Sequence, residues 1–214
     1  MIFRTHNASI AMSQAGISLR CHACRQLGTF EWIGSDQVIQ INEPTGASIL
    51  GQRRCPNLDC RAHVFVAWNP KGEVLVSYPP ERIDFDPSKI PAGVVKSLEE
   101  AITCHANEAY TAAAVMIRRT LEDLCADKSA KGENLQERLS ALSGSVILPT
   151  GLIAGLDNLR LLGNDAAHVE SRVYSQVGTQ EVELAIDVAK EVLKAVYQLD
   201  DLVSRLEKLK KTEQ

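Results

Sequence analysis

The sequence predicts an α+β protein in which a small β-rich module precedes an all-α antiparallel bundle of about five helices. Residues 18 to 80 contain short β-branched and aromatic segments, such as QVIQI and HVFVAW, separated by turn residues. Four prolines follow within YPPERIDFDPSKIPAG, and proline neither continues a strand ladder nor fits a helix interior. Beyond them, apolar residues recur every three or four positions, which is the period of a helix.

The composition is that of a globular protein with room for one ordinary domain and a small module. The 214 residues are 45% hydrophobic and 23% charged. No apolar run approaches the roughly 18 residues that span a bilayer, and the first twenty lack the apolar segment of a secretory signal. We therefore expect a cytoplasmic protein without membrane contact.

The charge pattern argues against a protein that binds nucleic acid by charge alone. Residues 1–90 hold 9 basic and 8 acidic residues, and residues 91–214 hold 14 and 19, for a net charge of −4. Neither half has the strongly basic surface of a tight, charge-driven binder.

We place four segments along the chain. They are a flexible tail at residues 1–17, the β module at 18–80, a proline-rich linker at 81–90 and the helical bundle at 91–210. Met12 is an alternative start to Met1. The last helix is the longest, and we expect its apolar seam to run from Leu184 to Leu206.

Four of the six cysteines form two close pairs within the β module. The pairs are C-x2-C in RCHACR and C-x4-C in RCPNLDCR, formed by Cys21, Cys24, Cys55 and Cys60. Four thiolates in two such pairs suit a tetrahedral zinc ion. Disulfides or a redox pair are the alternative, although structural disulfides are rare in the cytosol. We predict a closed, structural Zn2+ site, in which His22 or His63 could replace one thiolate.

Arginines crowd beside the cysteine pairs, and two interpretations of them stay open. They could offset the negative charge of a zinc ion with four thiolates. They could instead form a docking face for phosphate and stacked bases, with Trp32 or Trp68 exposed. The candidate nucleic-acid contacts are Arg25, Arg53, Arg54 and Arg61.

The stretch NLRLLGNDAAHVES carries a polar row with one residue every four positions: Arg160, Asn164 and His168. A step of four drifts by about 40° around a helix, so the row forms a slowly winding stripe. Gly163 costs about 1 kcal/mol relative to alanine in a helix, which indicates that another segment packs close there. The row is either an active site or a set of polar contacts, with Glu122 or Asp123 as partners.

The helical half resembles the family called domain of unknown function 4145 (DUF4145). The matching segments are YTAAAVMIRRTLEDLC, LPTGLIAGLDNLRLLGNDAAH and the long last helix, from residue 91 to about residue 206. A zinc-ribbon-like N-terminal module with paired cysteines is similar to what members often carry. The resemblance implies a relation to the HEPN superfamily, helical bundles of restriction, toxin–antitoxin and anti-phage systems. Many HEPN proteins form dimers and cleave RNA without a metal.

The HEPN signature is an arginine, often a polar residue, and then a histidine four to six residues further on. Asn164 and His168 match the last two, whereas Gly163 stands at the arginine position and Arg160 lies one turn earlier. The resemblance implies that the histidine acts on the ribose 2′-OH and that an arginine stabilises the phosphate charge. A dimer would bring Arg160 of one chain beside His168 of the other.

Three hypotheses for the function result. The first is a regulatory or nucleic-acid-associated module without catalysis, acting with a partner protein of a prokaryotic defence system. The second is a metal-independent endoribonuclease with a dimeric cleft. The third is a zinc ribbon that grips DNA or RNA, with the helices as a dimerisation module. We also predict a homodimer, from the small residues around Gly163 and Ala167 and from the long last helix.

Overall fold

The computed structural model describes residues 8–34, 37–43, 46–145, 148–167 and 177–210. The chain divides into two compact units, Met1–Asp84 and Phe85–Gln214. The described strands lie in the first unit and the described helices in the second, which confirms the α+β prediction. Across the described ranges, no helix is both long and apolar enough to cross a membrane.

The β unit consists of a five-stranded antiparallel sheet and a two-stranded hairpin. Its strands are β1 (Ala8–Met12), β2 (Ile17–Arg20), β3 (Leu27–Phe30), β4 (Gln37–Glu43), β5 (Gly46–Arg54), β6 (His63–Trp68) and β7 (Val74–Tyr78). The sheet has the order β1-β4-β5-β6-β7, and β2 pairs with β3. The predicted turn between β6 and β7 is present, with Gly72 at φ +85° and the Asn69 Oδ1 atom accepting from the Lys71 N–H at 2.9 Å.

Strand β1 was not expected, because residues 1–17 were predicted to be a flexible tail. Its backbone pairs with β4, and Ile10 lies opposite Ile39. The strand is at the edge of the sheet and four of its five residues are exposed. It therefore lacks the alternation of buried and exposed residues by which a strand is recognised in a sequence.

The core of the β unit unites the sheet, the hairpin and two of the paired cysteines. It is formed by Ile17, Leu19, Cys21, Phe30, Val38, Cys55, Val64, Val66 and Trp68. In β6, Val64 and Val66 are buried whereas His63 and Phe65 are exposed, as expected of a strand with one face against a core. The cysteine loops are thus attached to the main core of the unit, against which Cys24 and Cys60 also pack.

The helical unit follows the predicted order of helices. The helices are α1 (Ala92–Ala106), α2 (Tyr110–Asp127), α3 (Leu135–Ser145), α4 (Thr150–Ala167), α5 (Thr179–Leu193) and α6 (Leu199–Lys210). A π-helical turn, Lys194–Gln198, joins α5 to α6, so the predicted long last helix spans three segments. Asn134 caps α3 as expected, because its Oδ1 atom accepts from the Glu137 N–H at 3.0 Å.

Helices α1 and α2 run antiparallel, and the helices of this unit share one apolar core. In α1 and α2, Ser97 bonds to Asp123 near one end while the rings of His105 and Tyr110 meet at the other. The core includes Leu98, Ile102, Ile117, Leu121, Leu124, Leu156, Leu159, Leu162, Val182, Ile186 and Val192. Helix α2 contacts α1, α3, α4 and α5 and is therefore central to the bundle.

The apolar seam of the last helix differs from the expectation. The seam was predicted to run from Leu184 to Leu206, yet Leu184 is 67% exposed and Leu206 is 62% exposed. The residues that α5 buries are Val182, Ala185, Ile186, Ala189, Val192 and Leu193. The seam was misplaced toward both of its ends, although Val192 within it is buried as expected. A helix rich in apolar residues offers two stripes, and only tertiary packing decides which one is covered.

Candidate metal centre and the polar row of helix α4

The sulfur atoms of the four paired cysteines form one compact group. The Sγ atoms of Cys21, Cys24, Cys55 and Cys60 all lie within 4.8 Å of one another. Two of the separations join one pair to the other, with 3.7 Å between Cys21 and Cys60 and 3.8 Å between Cys24 and Cys55. The cysteines carry no disulfide. This group could hold a metal ion.

The first cysteine loop folds its backbone around the sulfur of Cys21. The Arg25 N–H donates to the Cys21 carbonyl at 2.9 Å, and the Ala23 N–H points to the Cys21 Sγ atom at 3.4 Å. Arg25 has a φ of +61°, a left-handed conformation that is uncommon for a residue with a side chain. The turn is therefore held by its hydrogen bonds, and it aims an amide at a thiolate position.

The second loop repeats this pattern with a longer spacing. The N–H groups of Cys60 and Arg61 both donate to the Asn57 carbonyl, at 3.1 and 3.0 Å. Arg61, like Arg25, follows the last cysteine of its pair and has a positive φ, +50°. The Asn57 side chain donates to the Gln26 Oε1 atom at 3.0 Å, which ties the two loops together.

Burial affects the sulfur atoms unequally. It raises the pKa of Cys21 and raises the pKa of Cys55 to about 12. For Cys24, burial acts in the same direction, but hydrogen bonds from the Gln26 amide and the neighbouring sulfurs lower its pKa to about 7. The most buried sulfurs thus resist ionisation on their own, and a divalent cation would supply the charge that stabilises them as thiolates.

Arg53 is not a surface residue, so its prediction as a nucleic-acid contact is wrong. Its side chain is 1% exposed, and its Cζ atom lies 4.4 Å from the centroid of the Trp68 ring. Its Nε donates to the Ala15 carbonyl at 3.1 Å and its Nη1 to the Gln52 carbonyl at 2.8 Å. Burial lowers the pKa of this guanidinium. Because strand residues alternate in direction, Arg53 points to the inner face of β5.

The other arginines near the cysteines differ in exposure. Arg61 is exposed, whereas Arg25 and Arg54 are half-buried. The Arg54 Nε atom is buried and has no hydrogen-bond partner among the described residues. Of the two tryptophans, Trp68 is 1% exposed and Trp32 is 37% exposed. A stacking surface on this unit would therefore use Trp32.

The polar row of α4 takes part in ion pairs and hydrogen bonds within the bundle. Arg160 Nη2 lies 2.8 Å from the Asp157 Oδ1 atom, and the Arg160 side chain is 14% exposed. Asn164 accepts a hydrogen bond from Arg118 of α2, whose Nε lies 3.2 Å from the Glu122 Oε1 atom. Arg160 pairs with Asp157, one turn away on the same helix, and not with Glu122 or Asp123 as expected. His168 lies outside the described residues.

Gly163 is explained by a contact inside the chain. A Cβ atom at this position would lie 2.5 Å from the Arg118 Cβ and 3.3 Å from the Ala114 carbonyl oxygen. The segment that packs close to Gly163 is therefore α2. Sequence reasoning did not identify Arg118, because the only signal was the glycine itself, which indicates a close neighbour without naming it.

Comparisons with known proteins gave one family match, which lies in the helical unit. Searches of curated proteins and of solved structures gave no match. A family model described as domain of unknown function (DUF4145) matches residues 99–211, just over half of the chain and nearly all of the helical unit. The match includes α2 and α4, and with them the contact between Arg118 and Asn164. The chain therefore belongs to the DUF4145 family.

Proposed function

We propose that this protein is a non-catalytic, zinc-stabilised module that forms dimers and associates with nucleic acid in a prokaryotic defence system. The observation that supports a non-catalytic role is that both arginines near the polar row form ion pairs with carboxylates. Arg160 is paired with Asp157 and Arg118 with Glu122. A guanidinium that clamps phosphate must offer uncompensated positive charge, and a carboxylate in contact with it repels the ligand.

Zinc is the metal that best suits the four sulfurs. A tetrahedral ion with metal–sulfur bonds of about 2.3 Å holds its ligands about 3.8 Å apart. The separations of 3.7 and 3.8 Å between the two cysteine pairs are close to that value. Four thiolates fill the coordination shell, so the ion would stabilise the β unit and leave no position for a catalytic water.

The association with nucleic acid would depend on the surface beside the cysteine loops. Exposed Arg61, half-buried Arg25 and the partly exposed ring of Trp32 are the groups that could contact phosphate and a stacked base. With so few cations, binding would be weak and its dependence on salt shallow. The defence role and the partner protein come from the HEPN relation that the family resemblance implies.

Fluorescence anisotropy with labelled single-stranded RNA and duplex DNA tests this association. We expect the double variant Arg25→Glu with Arg61→Glu to lose measurable binding, because it reverses two charges on the proposed surface. Lys71→Glu is the matched control, since Lys71 is exposed on the β6–β7 turn of the same unit, and it should bind as the wild type does. Equal loss in the control, or no binding by the wild type, would remove nucleic acid from the proposal.

An endoribonuclease is the second candidate, and one contact favours it. Arg118 of α2 lies over Gly163 and reaches Asn164, so a guanidinium occupies the space beside the position where the HEPN signature has its arginine. In that case Arg118, with Arg160, would stabilise phosphate charge and His168 would act on the ribose hydroxyl.

Cleavage of single-stranded RNA in EDTA distinguishes the two candidates. A ribonuclease would yield 2′,3′-cyclic phosphate ends, and His168→Ala and Arg118→Ala would each slow cleavage by about 100-fold or more. Arg119→Ala is the matched control, because Arg119 is adjacent in α2 and pairs with Asp123 instead. If the wild type leaves RNA intact, or if His168→Ala cuts equally fast, the second candidate is excluded.

A further inference from the structure

Helix α6 has an apolar face that the described chain leaves exposed. Five large apolar side chains on this helix are between 50% and 68% exposed: Leu199, Leu202, Val203, Leu206 and Leu209. The main described neighbour of α6 is the π-helical turn that precedes it. A 12-residue helix is marginal in water on its own, so an apolar stripe of this extent indicates a missing partner.

The spacing of the stripe is that of a two-helix interface. Leu199, Leu202, Leu206 and Leu209 follow one another at steps of three, four and three. These are the a and d positions of a heptad, at which two helices interdigitate. The base of the helix is fixed to its own unit, because Lys89 pairs with Asp201 at 3.3 Å and the buried Gln198 amide donates to the Asp86 and Ser88 carbonyls. The N-terminal end of α6, where the stripe begins, is therefore held in place.

We propose that α6 packs antiparallel against α6 of a second copy of this chain. The proposal rests on the dimer in the proposed function and names its surface. In the sequence LDDLVSRLEKLK two aspartates lie in the first turn and two lysines in the last, while its acidic and basic residues are equal in number. Antiparallel pairing brings the acidic end of one helix to the basic end of the other, whereas parallel pairing sets like charges together. Such an interface is self-complementary and closes after two subunits.

This surface replaces the one suggested by small residues on α4. Gly163 contacts Arg118 of its own chain, so it no longer indicates an approach by a second molecule. The leucines of α6, in contrast, are more than half exposed in the described part of the chain. The dimer would therefore form through the last helix and not through the small residues of α4.

Sedimentation equilibrium of the full-length, zinc-loaded protein tests the surface. We expect the wild type to have twice the 23.4 kDa mass of one chain at micromolar concentration. The double variant Leu202→Glu with Leu206→Glu should raise the dissociation constant about 100-fold or more, because dimerisation would bury two charges in an apolar seam. Ser204→Glu is the matched control, since Ser204 is exposed and outside the leucine stripe of the same helix, and it should remain dimeric.

Each outcome bears on a separate part of the proposal. A monomeric wild type overturns both the dimer and its surface, and leaves the metal site and nucleic-acid association untouched. A dimer that persists in the double glutamate variant overturns the surface alone. Equal dissociation of the Ser204→Glu variant also overturns it. Unchanged circular dichroism and tryptophan emission verify that the variants are folded.

Cysteine crosslinking tests the orientation. Leu199→Cys and Leu209→Cys lie at opposite ends of the stripe. In an antiparallel pair, oxidation should link the two variants when they are mixed and leave each variant alone unlinked. Efficient crosslinking of either variant with itself would overturn the antiparallel arrangement. The wild type, oxidised in parallel, controls for the native cysteines.

Discussion

At Gly163 the stem of the Arg118 side chain lies against the backbone of α4. A Cβ atom there would lie 2.5 Å from the Arg118 Cβ. Two non-bonded carbon atoms do not approach this closely, so one of the two helices would have to move. Glycine lowers helix stability by about 1 kcal/mol relative to alanine, yet the contact requires it. The same contact lets Arg118 reach Asn164, so one glycine fixes the polar arrangement between two helices.

The Gly163→Ala variant should therefore lose stability in spite of its better helix propensity. We expect the free energy of unfolding to fall by about 1–3 kcal/mol, because α2 must shift to admit a methyl group. Gly151 lies in the same helix and a Cβ there would meet nothing within 4 Å, so Gly151→Ala should be neutral or gain up to about 1 kcal/mol. Urea unfolding followed at 222 nm measures both, and a Gly163→Ala variant as stable as the wild type would refute the packing argument.

Arg53 shows how a charged residue can belong to a core. Its guanidinium lies over the Trp68 ring and donates to two backbone carbonyls. We expect Arg53→Ala to lower the stability of the β unit by about 2–4 kcal/mol, through the cavity and the unsatisfied carbonyls. Arg61→Ala, at an exposed position, should change it by less than about 0.5 kcal/mol. Tryptophan emission during urea unfolding measures both, and equal stability of the two variants would contradict this role.

We predict that half-buried His105 makes the helical unit sensitive to acid. Burial lowers its pKa below the ordinary value of 6.5, while Glu183 acts in the opposite direction. As the pH falls below 6.5, His105 becomes protonated in the unfolded chain but stays neutral in the folded chain. The free energy of unfolding therefore declines until the pH reaches the lower pKa of His105 in the folded state. The His105→Gln variant should show a smaller decline across this window in unfolding curves recorded at 222 nm. An unchanged decline would show that other groups carry the acid sensitivity.

Among the elements, those with a marked pattern of burial were predictable from the sequence. Helices α1 to α4 were expected because their apolar residues recur with the helical period, and α3 begins at its predicted cap, Asn134. Strand β1 was missed because it is held by backbone pairing and its side chains are mostly exposed. The break in the last helix was missed because a π-helical turn leaves no signature in residue spacing.

The two candidate sites were predictable to different degrees, because one depends on local spacing in the sequence and the other on the packing of two helices. The cysteine group follows from two local spacings, and strand pairing needed only to bring the loops together. The contact between Arg118 and Asn164 joins residues 46 positions apart, through the packing of α2 on α4. Nothing local distinguishes Arg118 from Arg119, yet their carboxylate partners, Glu122 and Asp123, differ and only Arg118 bonds to Asn164.

On the scale of the whole molecule, the two units depend on different sources of stability. The helical unit has a large apolar core with α2 at its centre. The β unit is small, and its core includes Cys21 and Cys55, two of the proposed ligands. A small unit buries a smaller fraction of its surface than a large domain does, so a bound ion would contribute substantially to the folding free energy of the β unit.

Metal removal should therefore destabilise the β unit strongly and leave the stability of the helical unit little changed, and the chain itself supplies separate probes for the two. Both tryptophans, Trp32 and Trp68, lie in the β unit, whereas the signal at 222 nm comes mainly from the helices. Upon addition of a strong chelator, the urea midpoint seen by tryptophan emission should fall sharply, because ligand binding to the folded state is lost. The midpoint at 222 nm should move little, and added Zn2+ should restore the first transition. Identical emission curves with and without chelator, or freshly reduced protein with no bound zinc, would contradict the metal centre.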